Sequence, residues 1–84
     1  MLTVYNVEDI EKIMQFKTWS ERKKIDELLR IDCTQYANLG IDSSKKDRET
    51  VKVNSRKIYR NIKKINPRMG LEFLHAMDKE EHTE

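Results

Sequence analysis

Basic side chains are concentrated in one segment of the chain, between Lys45 and Arg68. Ten residues of this segment are basic and two, Asp47 and Glu49, are acidic, so it carries a formal charge of +8. Because the whole chain carries +2, the other sixty residues carry −6. Ammonium and guanidinium groups bind phosphate oxygens and carboxylates. The segment therefore predicts a surface that meets nucleic acid or an acidic protein.

The spacing of these residues predicts one long helix with two unlike sides. At about 100° per residue, apolar residues share one arc with heptad-like spacing. We expect this arc to be a core or interface seam, made of Val51, Ser55, Ile58, Ile62, Ile65 and Met69. The basic residues fall mainly on the opposite arc. The candidate binding residues are Lys45, Lys46, Lys52, Arg56, Lys57, Arg60, Lys63 and Lys64.

A charged helix face can also be an ordinary solvated surface. Such faces usually mix both signs, because Glu and Lys four residues apart stabilise a helix. From Thr50 to Arg68 this segment has no acidic residue, so repulsion between its cations is uncompensated. A binding role is the better explanation of this pattern.

The remaining helices follow from caps and apolar periodicity. Asn6 predicts the start of helix 1, which runs to residue 16 or 17. The Thr18 to Glu21 capping box predicts helix 2 over residues 19–39, ended by Gly40 in a left-handed conformation. Ser44 or Asp47 would cap helix 3, and the Asn66-Pro67 step would end it before a short helix 4.

The expected architecture is all-α, a small bundle of three main helices plus a short C-terminal helix. Residues 1–78 form the predicted single helical domain, in which an extended arm at residues 1–5 precedes the helices. Residues 79–84 form the predicted flexible acidic tail, since they have nothing to bury. With only 84 residues, the chain has a thin stability margin, and the seam predicts a homo-oligomer.

Asp32 lies in the middle of the predicted apolar stripe of helix 2. A lone carboxylate there would be costly, so we expect it to pair with Arg48 or Arg68, or to reach water where the helix bends. The alternative is that Asp32 determines a register or an assembly. Its neighbour Cys33 is expected to be a small buried hydrophobic residue.

The sequence has no pattern typical of catalysis. His75, His82 and Cys33 lack the spacing of zinc ligands, and there is no glycine-rich phosphate loop or hydrolase motif. We expect no enzymatic activity, no cofactor, no metal and no small-molecule substrate. No apolar run approaches the roughly 18 residues that cross a bilayer, and one cysteine cannot form an internal disulfide. These features predict no membrane association and a cytoplasmic location, in the host cytoplasm or the virion if the chain is viral.

Part of the sequence resembles the recognition helix of LuxR-type helix-turn-helix domains. The similarity lies in Thr50-Val51-Lys52-Val53-Asn54 with Ile58 to Ile62, and in the turn from Leu39 to Ser43. About five extra residues separate this turn from Thr50, and Asn54 replaces the usual histidine. The resemblance implies that Lys52, Arg56, Lys57 and Arg60 face DNA, with Lys63 and Lys64 near phosphates.

The small size and the Lys, Ile and Asn content resemble those of accessory or virion proteins of tailed bacteriophages. Two hypotheses follow. The first is a small helical assembly or adaptor protein, such as a phage virion or packaging component, in which helix 3 contacts nucleic acid or an acidic protein. The second is a helix-turn-helix transcriptional regulator. We favour the first because the extra residues disrupt the tight turn of the second.

Overall fold

The computed structural model describes residues 5–40 and 42–81, without the side chains of residues 79–81. The protein is all-α, as expected, and the described residues contain no strand. None of the helices in these ranges is long and apolar enough to cross a membrane. A 3-10 turn at Val7–Asp9 precedes α1 (Ile10–Gln15), α2 (Glu21–Ala37), α3 (Lys45–Ile65) and α4 (Pro67–Glu81).

The helix lengths differ from those expected. The first helix is the short one, because Phe16 leaves the helical region at ψ 111° and its ring packs 4.8 Å from that of Trp19. The last helix has 15 residues and includes the backbone of residues 79–81, the start of the predicted tail. The rest of that tail, and residues 1–4 of the predicted arm, lie outside the described residues.

Side-chain caps begin the 3-10 turn, α2 and α3. Asn6 caps the 3-10 turn that leads into α1. Ser44, and not Asp47, caps α3, and the two residues form a capping box with hydrogen bonds of 3.1 and 3.3 Å. The predicted cap of α2 is wrong: Ser20 accepts the capping hydrogen bond, at 3.1 Å. Thr18 lies in the preceding turn, since Trp19 must first turn inward to pack with Phe16.

Gly40 does not adopt the left-handed conformation expected for it. Helix α2 ends at Ala37, and Asn38 follows with helical dihedral angles. The φ of Gly40 is not positive; its amide donates to the Ser43 hydroxyl at 2.8 Å, and its carbonyl accepts from the Ser43 amide at 3.1 Å. A turn closed by Ser43 therefore replaces the expected glycine cap. Ile41, expected to pack back on Tyr36, lies outside the described residues.

Helix α3 lies between α2 and α4, and both neighbours run antiparallel to it. Asn54 donates to Gln35 at 3.0 Å, while three residues earlier on α2 Asp32 meets Tyr59, further along α3. On the other side, Tyr59 stacks on Phe73 of α4 with ring centroids 5.0 Å apart. The molecule is a slab of 41 × 32 × 14 Å.

The core joins α1, α2 and α3. Its fully or nearly fully buried cluster consists of Ile10, Ile13, Ile25, Leu28, Ile31, Ile58 and Ile62. The predicted seam is largely used within the chain: Val51, Ser55, Ile58 and Ile62 are buried, and Ile65 and Met69 are half-buried. A second copy cannot reach the buried part of this seam. Any homo-oligomer has to form through another surface.

Asp32 is buried, and within the described ranges no cation lies at ion-pair distance from it. Its carboxylate accepts hydrogen bonds from the Ser55 hydroxyl and, at 2.5 Å, from the Tyr59 hydroxyl. The cations expected beside it lie elsewhere: Arg48 donates to the Ser43 carbonyl, and Arg68 lies 3.8 Å from Glu72. Two hydroxyl donors therefore satisfy this carboxylate, so neither a salt bridge nor water is needed.

The Asp32 contact predicts a loss of stability at alkaline pH. Burial, followed by the hydrogen bond and the negative charge of Asp32, raises the pKa of Tyr59 above its ordinary value of 10.0. A pKa raised by folding means that stability is complete below the unfolded pKa and falls as pH rises through the folded pKa. Urea unfolding would measure the free energy of unfolding of the wild type and of Tyr59→Phe. We expect the wild type to be more stable at neutral pH, and the difference between the two proteins to shrink above about pH 10. A constant difference between the two proteins from about pH 8 to pH 11 would contradict this, because lysine titration is common to both.

A candidate nucleic-acid interface on α3

One long side of α3 remains open between its two neighbours. Its centre lies opposite the buried residues Val51, Ser55, Ile58 and Ile62. Four of the eight predicted binding residues fall within about 60° of each other on this side, and all four are exposed. We call them the cationic stripe: Lys46, Lys57, Arg60 and Lys64.

The other four predicted residues lie within about 40° of each other, toward α4. Lys45, Lys52 and Lys63 are exposed, whereas Arg56 is half-buried and its guanidinium lies 4.0 Å from Asp78 of α4. The eight residues therefore do not form one surface. The antiparallel packing of α4 on α3 separates them, and part of the positive charge on its side is balanced by Asp78.

The described part of the chain does not neutralise the cationic stripe. Among the described residues, no carboxylate lies within ion-pair distance of its four side chains. From Lys46 to Lys64 the stripe extends for about 27 Å at 1.5 Å per residue. Its last three members are three and four residues apart, so their Cβ atoms are roughly 5 to 6 Å from one another. A rigid row of cations at this spacing can contact several phosphates or carboxylates at once.

The stripe also includes an exposed apolar side chain. Val53 is 65% exposed and lies between Lys46 and Lys57 along it. Tyr59, an aromatic residue of α3, lies about 140–160° away from Lys57 and Lys64 around the helix. Its ring stacks on Phe73 instead. The stripe therefore has charge but no aromatic platform for stacking bases.

The helix-turn-helix resemblance implies a steep crossing of α2 and α3, at roughly 90 to 120°. The contacts show side-by-side packing instead. The start of α2 and the end of α3 meet where Ile25 and Asn66 border one depression, and the opposite ends meet where Leu39 and Asp47 border another. Such packing presents the length of α3 to a partner, and not its first turn alone.

Two features of the structure could not be read from the helical pattern. The pattern gives the azimuth of every residue on α3 but not the position of α4. Because α4 packs beside α3, four of the eight predicted binding residues do not lie on the open side. Cys33, expected to be buried, is exposed on α2.

No group of three residues able to ligate a metal forms within the described ranges. His75 is exposed on α4, and His82 lies outside the described residues. Comparison of the chain with protein-family models, with curated proteins and with solved structures finds no match.

Proposed function

We propose that this chain is a non-enzymatic binding protein that contacts the phosphate backbone of nucleic acid through the cationic stripe. The observation that supports this is that four exposed cations along one side of a 21-residue helix have no carboxylate partner among the residues that the structure describes. Like charges held together without partners destabilise a free helix surface. Binding a polyanion removes that repulsion and releases the counterions that surround the polyanion.

Nucleic acid suits the stripe better than a compact acidic patch does. Duplex DNA carries one negative charge per about 1.7 Å of its axis, so a straight row of cations can be matched along its whole length. The stripe holds three lysines and one arginine, and lysine binds phosphate as a point charge without reading bases. We therefore expect binding that depends strongly on salt and weakly on sequence.

Titration of a labelled DNA duplex at several salt concentrations tests this proposal. With four phosphate contacts, the slope of log K against log salt should be about −3 to −4. This is shallower than the slope expected if all eight predicted basic residues made contact. If no binding is found near 50 mM salt, where electrostatic binding is strong, the nucleic-acid proposal fails.

Charge reversal within the stripe provides the matched comparison. Lys57→Glu combined with Arg60→Glu should weaken DNA binding at least about tenfold, because both side chains are exposed and point away from the core. The control is Lys12→Glu combined with Lys17→Glu, which changes the net charge equally at exposed positions outside α3. Equal losses in the two double variants would show that net charge, and not the stripe, determines binding.

An acidic protein surface is the second candidate partner, and Val53 is the observation that favours it. An apolar side chain that is 65% exposed gains little beside a phosphate, whereas it would lose water-exposed area in a protein interface. Val53→Ser should leave DNA affinity within about twofold. If a protein partner co-purifies with this chain, a large loss of affinity for that partner in Val53→Ser would favour an acidic protein as the partner.

The assembly or adaptor role expected from the sequence is compatible with either partner. The expectation of a virion or packaging component is based on size and composition alone, so the proposed binding does not depend on it. A helix-turn-helix regulator is the less favoured alternative, because α2 and α3 pack side by side.

A further inference from the structure

A groove between α2 and α4 differs in character from the rest of the surface. Its volume is about 530 Å³, and Tyr59 of α3 forms its floor. The walls and floor are lined by Leu29, Asp32, Cys33, Tyr36, Tyr59, Phe73, Ala76 and Met77. Charged residues make up 38% of the sequence, yet among the residues whose side chains the structure describes, Asp32 is the only charged one that lines this groove. Its carboxylate is turned inward to the Ser55 and Tyr59 hydroxyls.

We propose that a second copy of this chain covers the groove, so that the protein is a dimer whose two α2–α4 faces meet about a two-fold axis. This inference goes beyond the proposed binding function and does not depend on it. The groove presents aromatic and apolar atoms to solvent: Tyr36 is 42% exposed, and Leu29 and Phe73 are half-buried. Aromatic residues and methionine are enriched at interfaces, whose centres lack charge.

The choice of a second copy follows from what a two-fold interface requires. In such an interface a surface meets itself, so each charge at the axis faces its own copy. The cationic stripe would repel itself, whereas the groove would not, because the carboxylate of Asp32 is turned inward to its two hydroxyl donors. Beyond the groove, toward the start of α2, Arg22 and Asp26 lie 4.0 Å apart and are both well exposed. A rim with both signs can form ion pairs across the axis without changing the net charge.

The dimensions of the slab allow such an interface. Arg22, Asp26, Leu29, Cys33 and Tyr36 follow one another on α2 at alternating spacings of four and three, which makes one continuous outer stripe. A stable interface buries about 800 Å² per partner. The broad face of the slab, 41 × 32 Å, exceeds that area. Covering the groove also leaves its polar floor satisfied, because Asp32 and the Tyr59 hydroxyl already bond to each other.

The two interfaces would not compete for space. Tyr59 at the groove floor and the residues Lys57 and Lys64 of the cationic stripe are separated by about 140–160° around α3. A dimer formed through the groove therefore keeps both stripes exposed, on its outer sides. Such a particle could hold two polyanion segments at once.

Light scattering over a concentration series from about 1 μM to 1 mM tests the dimer in the wild-type chain. We expect the mass to rise from that of the monomer, 10.1 kDa, to twice that value. Cys33 reports the location of the contact, since it is the only cysteine and lines the groove. Its alkylation by a maleimide in excess should slow at least about tenfold as the dimer forms, because a buried interface excludes the reagent. A monomer at every concentration, or an unchanged alkylation rate in the dimer, would overturn the proposal.

Matched substitutions test the face in a second way. Tyr36→Lys should weaken dimerisation at least about tenfold, and circular dichroism can verify that this exposed position tolerates the change. The control is Leu71→Lys, which places the same charge on a side chain that is 51% exposed on the outer side of α4. Dimerisation should be unaffected in the control. The proposal is contradicted if folded Tyr36→Lys still forms the dimer. It is also contradicted if Leu71→Lys loses the dimer while Tyr36→Lys keeps it, because the interface would then lie elsewhere.

Discussion

Replacing Gly70 with alanine is expected to destabilise the protein by about 2 to 3 kcal/mol, although the residue lies in a helix. Gly70 is buried in the first turns of α4, and a Cβ atom there would lie 2.3 Å from the Cα atom of Lys63. This neighbour is backbone, so the strain can be relieved only if α4 moves away from α3. Such a movement would also separate Tyr59 from Phe73 and loosen the contacts between the two helices. Urea unfolding would measure the loss.

The sign of this effect makes the experiment decisive. Helix propensity alone favours alanine over glycine by about 1 kcal/mol, so a stabilised variant would show that α3 and α4 are not in close contact at Gly70. The other glycine is the control. Gly40 has a negative or extended φ, and an added Cβ would meet no atom closer than 4.0 Å. Gly40→Ala should be neutral or should stabilise the chain by about 0.4 to 1 kcal/mol.

The helices could be predicted from the sequence because their signals are local. Apolar spacing and a cap at Ser44 or Asp47 predict α3, and the Asn66-Pro67 step marks its end, one residue after Ile65. The glycines show the limit of local reasoning. Gly40 was expected to require a special backbone conformation and does not, whereas Gly70 gave no local signal and lies at the closest approach of two helices.

The candidate binding surface could be predicted only in part for the same reason. Charge and periodicity identify α3 as a cationic helix, and its buried side follows from Ile58 and Ile62. Which cations stay open depends on where α4 packs, and that is decided by a contact between residues far apart on the two helices. The groove is a further example: Leu29 and Tyr36 belong to the apolar pattern of α2, but only the slab arrangement leaves them accessible.

Asp32 is expected to contribute strongly to stability through its two hydroxyl partners. Truncation by Asp32→Ala removes both hydrogen bonds to a charged acceptor, each worth about 1.5 to 3 kcal/mol. It also leaves the fully buried Ser55 hydroxyl without its acceptor on α2. Since Ser55 can donate to its own helix backbone instead, we expect a net loss of about 2 to 4 kcal/mol in urea unfolding. The control is Asp26→Ala on the same helix, which should change stability by less than about 0.5 kcal/mol because its carboxylate is exposed.

The origin of that cost can be separated from the value of the buried cluster as a whole. An apolar replacement of all partners leaves no polar group unsatisfied, and such replacements are often nearly neutral or stabilising. We therefore expect the triple variant Asp32→Leu, Ser55→Ala and Tyr59→Phe to recover most of the stability that Asp32→Ala loses. Recovery would mean that the cluster determines how α2 and α3 align, and not how tightly they pack. Such a determinant of alignment is the register role considered for Asp32 from the sequence. If the triple variant is as unstable as the single variant, the hydrogen bonds themselves stabilise the helix pair.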